Sequence, residues 1–286
     1  MSKKFIISAF IDEAVKDVTK QMPLLNKLGI EYFEPRYIAD GRTIDSYSND
    51  EAKELKKMMD DHSVKASCIG SSLGKQEITD DFNLHIEKLK RCSEIAHIIG
   101  TNQVRTFSFW LPENADRAQY KDEVFSRLSK LIEIAKEEDI VLLHENEHRI
   151  YGESPEDCLE IFKTFNTPHL SGTFDPANFV YFGYETFAAY ELLKDHITYF
   201  HMKDAVPGVE MRPVGCGDGR VPEILSAVPE RDKPYFLTIE PHIGEFQGIE
   251  NHVDDALMAE YPDRLVRLFV IAHNALVKVL KDIGQY

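Results

Sequence analysis

Short apolar runs alternate with longer amphipathic runs eight times along this chain, and few architectures accept that rhythm. FIISAF (5–10) precedes EAVKDVTKQMPLLNKLG (13–29), which has helical spacing, contains Pro23 and stops at Gly29. YFEPRY (32–37) precedes DEAKELKKMMDDH (50–62), and KASCIG (65–70) precedes FNLHIEKLKRCSEIAHIIG (82–100). QVRTFSFW (103–110) leads into DEVFSRLSKLIEIAKEE (122–138), and IVLLHENE (140–147) into PEDCLEIFKTF (155–165). LSGTFDP (170–176) is followed by ETFAAYELLKD (185–195), and ITYFHMKD (197–204) by VPEILSAV (221–228). YFLTIEPH (235–242) precedes the last amphipathic run, PDRLVRLFVIAHNALVKVLKDI (262–283).

Strands that alternate with helices imply crossover connections and a parallel sheet. Eight such units in 286 residues match the count and size of a closed (β/α)8 TIM barrel, an α/β fold. An open doubly wound sheet is disfavoured, since no strand-like run is followed by G-x-G-x-x-G. No low-complexity linker or composition break divides the chain, so a single domain over residues 1–286 is expected.

A net charge of −16 argues against nucleic acid as a partner, because neutralising phosphates needs clustered Lys and Arg. No apolar stretch approaches the length of a membrane span. After MSKK the apolar run is short and meets Asp12 and Glu13, unlike a signal peptide. The four Cys are scattered, with no C-x-x-C pair, so neither a zinc ribbon nor a disulfide framework is indicated. A cytoplasmic protein is expected.

HENEH (144–148) fits H-E-x-x-H, which on a helix would bind zinc in a metalloprotease. In the barrel register it ends the fifth strand instead. Strand residues four apart stand about 13 Å apart, so His144 and His148 would not chelate one ion. The strand reading draws attention to four consecutive strand ends: Glu145, Asp175, His201 and Glu240. Side chains alternate along a strand. Turning each of these four inward sends Leu142, His144, Phe174, Phe200, Met202 and Ile239 to the helix layer; apart from His144 these are apolar, as packing requires. Three carboxylates and one imidazole then converge on the C-terminal rim, where barrel active sites lie. That donor set suits Mn²⁺, Mg²⁺, Co²⁺ or Zn²⁺. Asp175 and Glu240 each precede a proline, which favours extended backbone at the strand end.

On these stretches the chain resembles the xylose isomerase-like sugar phosphate isomerase/epimerase superfamily of TIM barrels. The likeness runs almost end to end and is most specific in LHENEH, TFDPANF, HMKD, RPVGCGDG (212–219) and TIEPH. It implies one divalent metal ion, Mn²⁺ foremost, held by Glu145, Asp175, His201 and Glu240. It further implies that Glu145 and Glu240 are catalytic, one removing the proton beside a ketose carbonyl and the other returning it. Asn178 and Arg212 match family positions at the substrate. Lys203 in HMKD, Lys75 ending IGSSLGK, His148 and Trp110 complete the candidate substrate-binding set. Glu34 and Arg36 read as an ion pair at the second strand, Phe109 with Trp110 as an apolar wall or as core, and His242 as a neighbour of the metal. The superfamily's abasic-site endonuclease branch, with three zinc ions, fits poorly, since only four ligands align.

The expected activity is therefore isomerisation or epimerisation of a small sugar. A lyase acting on a keto-inositol or a 3-keto-glycoside is the alternative, and a non-catalytic sugar-binding barrel the third reading. A homodimer or tetramer is the expected assembly. GEFQGIENHVDDALM (244–258) is long enough for a lid or an oligomer contact.

Overall fold

The computed structural model describes residues 4–39, 41–113, 115–208, 210–244, 246 and 248–286. Eight parallel strands make the barrel wall. They are β1 (Phe5–Ala9), β2 (Tyr32–Phe33), β3 (Ile69–Leu73), β4 (Gln103–Thr106), β5 (Val141–Glu145), β6 (Leu170–Phe174), β7 (Ile197–Met202) and β8 (Tyr235–Ile239). Seven of them pair continuously in the order β1-β8-β7-β6-β5-β4-β3. The short β2 closes the ring between β1 and β3. The Glu34 N–H donates to the Ala9 carbonyl (2.9 Å), while Ser67 and Gly70 donate to the Phe33 and Pro35 carbonyls (2.9 Å each). A two-residue strand, Lys65–Ala66, pairs with β2 just ahead of β3.

The alternation read from the sequence holds around the wall. Leu142, Phe174, Phe200, Met202 and Ile239 are buried in the layer between strands and helices. Leu143 and Tyr199 pack inside the barrel with Cys68. Each such aliphatic or aromatic side chain contributes about 1.5–3 kcal/mol through burial.

Helices begin where side chains satisfy their first N–H groups. Helix α1 (Val18–Lys27) starts at Asp17, which accepts from Thr19 N at 3.0 Å. The run from residue 13 is thus not one helix: residues Ile11–Glu13 form a 3₁₀ turn before it. Pro23 lies inside α1 and removes one backbone donor. The carbonyl left without that donor belongs to Thr19, which is exposed and can be hydrated. Helix α2 (Asn49–Asp61) carries a full capping box between Ser48 and Glu51. Helix α3 (Asn83–Ile99) ends at Gly100 with φ +88°. Two short helices follow β6, namely Pro176–Tyr181 and Thr186–Leu193, and the chain closes with the long helix Arg264–Asp282. The 244–258 segment holds a 3₁₀ turn, Ile249–His252, and the start of helix Asp255–Glu260. Its residues 245 and 247 lie outside the described residues. Among the described residues no helix is long and apolar enough to cross a membrane.

One buried histidine ties α3 to the rim. Nδ1 of His85 accepts the Gly74 N–H at 3.2 Å. Gly74 has φ +81°, and a Cβ there would sit 2.0 Å from the Phe107 carbonyl oxygen. Burial first, then the cations Lys88 and Arg127, depress His85 to about 4. A depressed imidazole favours folding above its unfolded pKa of about 6.5, and that contribution is lost as pH falls toward 4. The expected loss is up to about 3 kcal/mol across that window. Urea unfolding of His85→Gln between pH 7 and 4 should show a shallower pH dependence than the parent. Identical slopes would remove His85 as the cause.

Candidate active site

The four strand-end residues meet on the barrel axis. Glu145 is the last residue of β5, His201 lies next to last in β7, and Asp175 and Glu240 directly follow β6 and β8. One donor atom from each lies within 4.8 Å of those from the other three, and all four residues are buried. Nδ1 of His201 stands 3.0 Å from Glu145 Oε1 and 3.2 Å from Glu240 Oε2.

Asp175 has a second task. It is the N-cap of the helix Pro176–Tyr181, with extended backbone (φ −112°, ψ 104°) and Pro176 at the first helical position. Its Oδ1 accepts the Asn178 N–H at 3.0 Å, which leaves Oδ2 for the cluster. There Lys203 Nζ lies at 2.8 Å, placed for an ion pair and outside hydrogen-bond geometry. Asn146 braces the same corner. It donates to the Asp175 carbonyl (3.0 Å), accepts the Asp175 N–H (2.9 Å), and its own carbonyl accepts from the Asn178 amide (2.8 Å).

Buried cations offset the acids. Arg105 donates to Glu145 Oε2 at 3.1 Å and to the carbonyls of Ser71 and Gly70. Arg36 donates to Glu240 Oε1 at 3.0 Å, and to Asp12 and Glu13 at 3.1 and 3.2 Å. Burial works to raise Glu145, yet His201 and Arg105 outweigh it and hold the carboxyl well below its ordinary range. Burial is likewise overcome at Glu240, by Lys203 and His201. At Asp175 burial wins over Lys203 and pushes the carboxyl up to about 7. Burial thus raises the aspartate, while the cationic neighbours lower the two glutamates.

A cavity of about 140 Å³ opens onto this cluster, lined by Glu145, Glu240, Lys203, Lys75, Arg36 and Arg105 among others. Lys75 pairs with Glu147 at 2.8 Å on its wall. The other substrate-binding candidates do not line it. Asn178 is buried in the corner described above. His148 faces away, bonded to Glu153 (3.0 Å) and stacked on Phe182 at 4.3 Å, and lines a separate cavity with Leu111 and Arg149. Trp110 is bridged to Glu77 and Ile150, with the Arg149 guanidinium over its ring. Phe109 packs in the core against Phe82 and His85. Arg212 pairs with Glu210 at 2.6 Å and lies over the Phe246 ring. His242 does line the cavity, its Nε2 3.0 Å from Glu13 and 3.5 Å from Glu240. His144 points outward to Ser108 Oγ at 3.0 Å.

The expected Glu34–Arg36 pair does not form. Arg36 turns to Asp12, Glu13 and Glu240, while Glu34 faces inward to His201 and Tyr199. Alternation would put residues two apart on one face; both lie beyond the two-residue β2, with Pro35 between them, so it does not govern where they point. Sequence reasoning also passed over Arg105 and Asn146. A charged residue inside the apolar run QVRTFSFW was the available signal for Arg105.

HMKD and RPVGCGDG also come together. The Asp204 carboxylate accepts four backbone N–H groups: Ala205 (2.9 Å), Gly215 (3.0 Å), Gly217 (3.0 Å) and Gly219 (2.8 Å). A Cβ on Gly217 or Gly219 would lie 2.5 or 2.6 Å from Asp204 Oδ1, so the loop needs glycine at both positions.

The donor set fits a divalent cation. Three carboxylates and one imidazole, drawn from four strands to within bonding reach of a common point, are oxygen-rich with one borderline nitrogen. The fold and this centre define a TIM barrel with an acidic, histidine-containing candidate metal site. By a match over residues 22–259, the chain belongs to the family described as xylose isomerase-like TIM barrel. No curated protein matches the sequence. Among solved structures it is similar to a D-tagatose 3-epimerase-like protein, at 19% identity and TM-score 0.73, covering 98% of each chain. It is similar to a xylose isomerase-like TIM barrel protein from Mycobacterium smegmatis in complex with magnesium (15% identity, TM-score 0.71, 99% and 98% covered). A third likeness is to a protein from Bacillus anthracis described as the probable 3-DHS dehydratase AsbF (16%, TM-score 0.70, 96% and 98% covered). At these identities the likeness is one of fold.

Proposed function

We propose that the protein is a divalent-metal-dependent isomerase or epimerase of a ketose or related small sugar. The observation that carries this reading is the pairing of Glu145 and Glu240. Both are buried, both face His201 Nδ1, and each keeps its other oxygen on a different arginine. Glu145, Asp175, His201 and Glu240 would hold the ion, Mn²⁺ foremost, with Mg²⁺, Co²⁺ or Zn²⁺ as alternatives. A bound cation would supply Lewis-acid polarisation of a carbonyl and its neighbouring hydroxyl. One ionised glutamate removes the proton beside that carbonyl; the other, having first taken a proton from solvent, gives it to the opposite face for epimerisation or to the adjacent carbon for isomerisation, and both then exchange with solvent to reset. Arg36 and Arg105 fix the geometry of the pair. Lys203 and Lys75 line the cavity, and in this reading they would bind sugar hydroxyls.

The test is incubation of Mn²⁺-loaded protein with a panel of ketoses in deuterated water. An altered sugar of unchanged composition, carrying solvent deuterium at the reacting carbon, is expected, and chelation should abolish its formation. Turnover without deuterium in the product, or undiminished turnover after metal removal, would count against the mechanism. A product lighter by one water would favour the dehydratase reading, for which the likeness to the Bacillus anthracis protein is the present support.

A further inference from the structure

The His201 ring is gripped from both sides. Nδ1 faces the carboxylates of the cluster, and Nε2 lies 3.2 Å from Glu34 Oε2. Glu34 is 1% exposed and stands where β2 ends. Its Oε2 also accepts the Tyr199 hydroxyl at 2.8 Å. That hydroxyl is tied in turn to Thr238 Oγ1 (2.6 Å) and Ser67 Oγ (2.8 Å), and Ser67 to Ser8 Oγ (2.7 Å). Four strands or strand ends thus pin one carboxylate oxygen inside the barrel. The ring faces of His201 are bounded by Phe10 at 5.1 Å and Tyr199 at 5.9 Å, both edge-on.

We infer that Glu34 is a positioning residue, which holds the His201 imidazole through Nε2–H so that Nδ1 is presented to a divalent cation between Glu145, Asp175 and Glu240. A carboxylate oxygen only accepts, so the Nε2 contact requires the proton on Nε2. By the same rule Nδ1, 3.0 Å from Glu145 Oε1, carries a proton while no cation is bound; a bound cation would displace that proton to solvent and leave Nε2–H on Glu34. A carboxylate behind a ligating imidazole fixes its tautomer and orientation and raises its basicity. The inference rests on the metal-centre reading above.

The test uses the full chain stripped of metal and titrated calorimetrically with Mn²⁺, alongside Co²⁺ absorption spectra. Glu34→Ala is expected to weaken Mn²⁺ binding about 10–100-fold and to alter the Co²⁺ spectrum. Glu34→Gln should recover most of the affinity, because its amide oxygen accepts the same N–H. Tyr199→Phe keeps the ring, removes the hydroxyl that anchors Glu34, and should weaken binding measurably but by less than Glu34→Ala does. It keeps the question open to refutation should Glu34→Ala fail to fold. Unchanged affinity in Glu34→Ala or in Tyr199→Phe overturns the inference, as does a Glu34→Gln as weak as Glu34→Ala. Absence of binding in the parent is a separate result. It overturns the metal-centre reading, and this inference with it, in the parent titration alone.

Discussion

Glu240→Gln is expected to lower turnover in the proposed isomerase or epimerase reaction by about a hundredfold to ten-thousandfold, the range over which a positioned acid–base group contributes. The amide is nearly isosteric and cannot take a proton. It also leaves Arg36 and Lys203 each short of an anionic partner, at 3.0 and 3.3 Å in the parent. In the proposed reaction the loss should fall mainly on kcat, since Lys75, on the cavity wall, keeps its partner Glu147. Mn²⁺ affinity should drop with it, because Glu240 Oε2 faces the same point as His201 Nδ1. Steady-state kinetics and calorimetry on the one variant separate the two losses. Turnover equal to the parent's would remove Glu240 from the proton-transfer role.

The largest expected effect on stability lies outside the cluster. Asp204→Ala should destabilise the fold by on the order of 4 kcal/mol, because four backbone N–H groups lose a charged acceptor. Such bonds are individually worth about 1.5–3 kcal/mol, and their sum is reduced by whatever water reaches the collapsed loop. Gly217→Ala attacks the same arrangement from the other side, since its Cβ would lie 2.4 Å from the Ala205 carbonyl oxygen. The two losses should not add, because both dismantle one loop. Urea midpoints for the singles and the double, at unchanged slope, measure this. A shift under about 1 kcal/mol for Asp204→Ala would mean the loop is held by something else.

Barrel topology and the convergence of Glu145, Asp175, His201 and Glu240 were legible because strand periodicity is strict. Once a strand is phased on one inward residue, its neighbours are assigned. Arg36 and Glu34 escaped because β2 is only two residues long and a proline intervenes, so alternation had nothing to run along. Even so, Glu34–Pro35 repeats the acid–proline pairing of Asp175–Pro176 and Glu240–Pro241. Applied to all strands alike, that pattern would have placed Glu34 with the inward acids. The positions of His148, Trp110 and Arg212 depend on loop conformation and side-chain packing at the rim, which no periodic pattern encodes. Asp204 could be recognised as an acid but not as an acceptor, since its four donors arrive from residues 205–219 only after the loop has folded.

Asp175 makes mutational results at this centre ambiguous in a specific way. One carboxylate serves a helix end with one oxygen and the cluster with the other. An alanine scan would score it as essential without saying whether chemistry or local architecture had failed. Asparagine is as good an N-cap as aspartate. It spares the helix start while withdrawing the negative charge, so the two contributions can be separated at this position. Comparisons among relatives meet the same difficulty: an acid retained there records two constraints at once, and its presence alone is not a count of metal ligands.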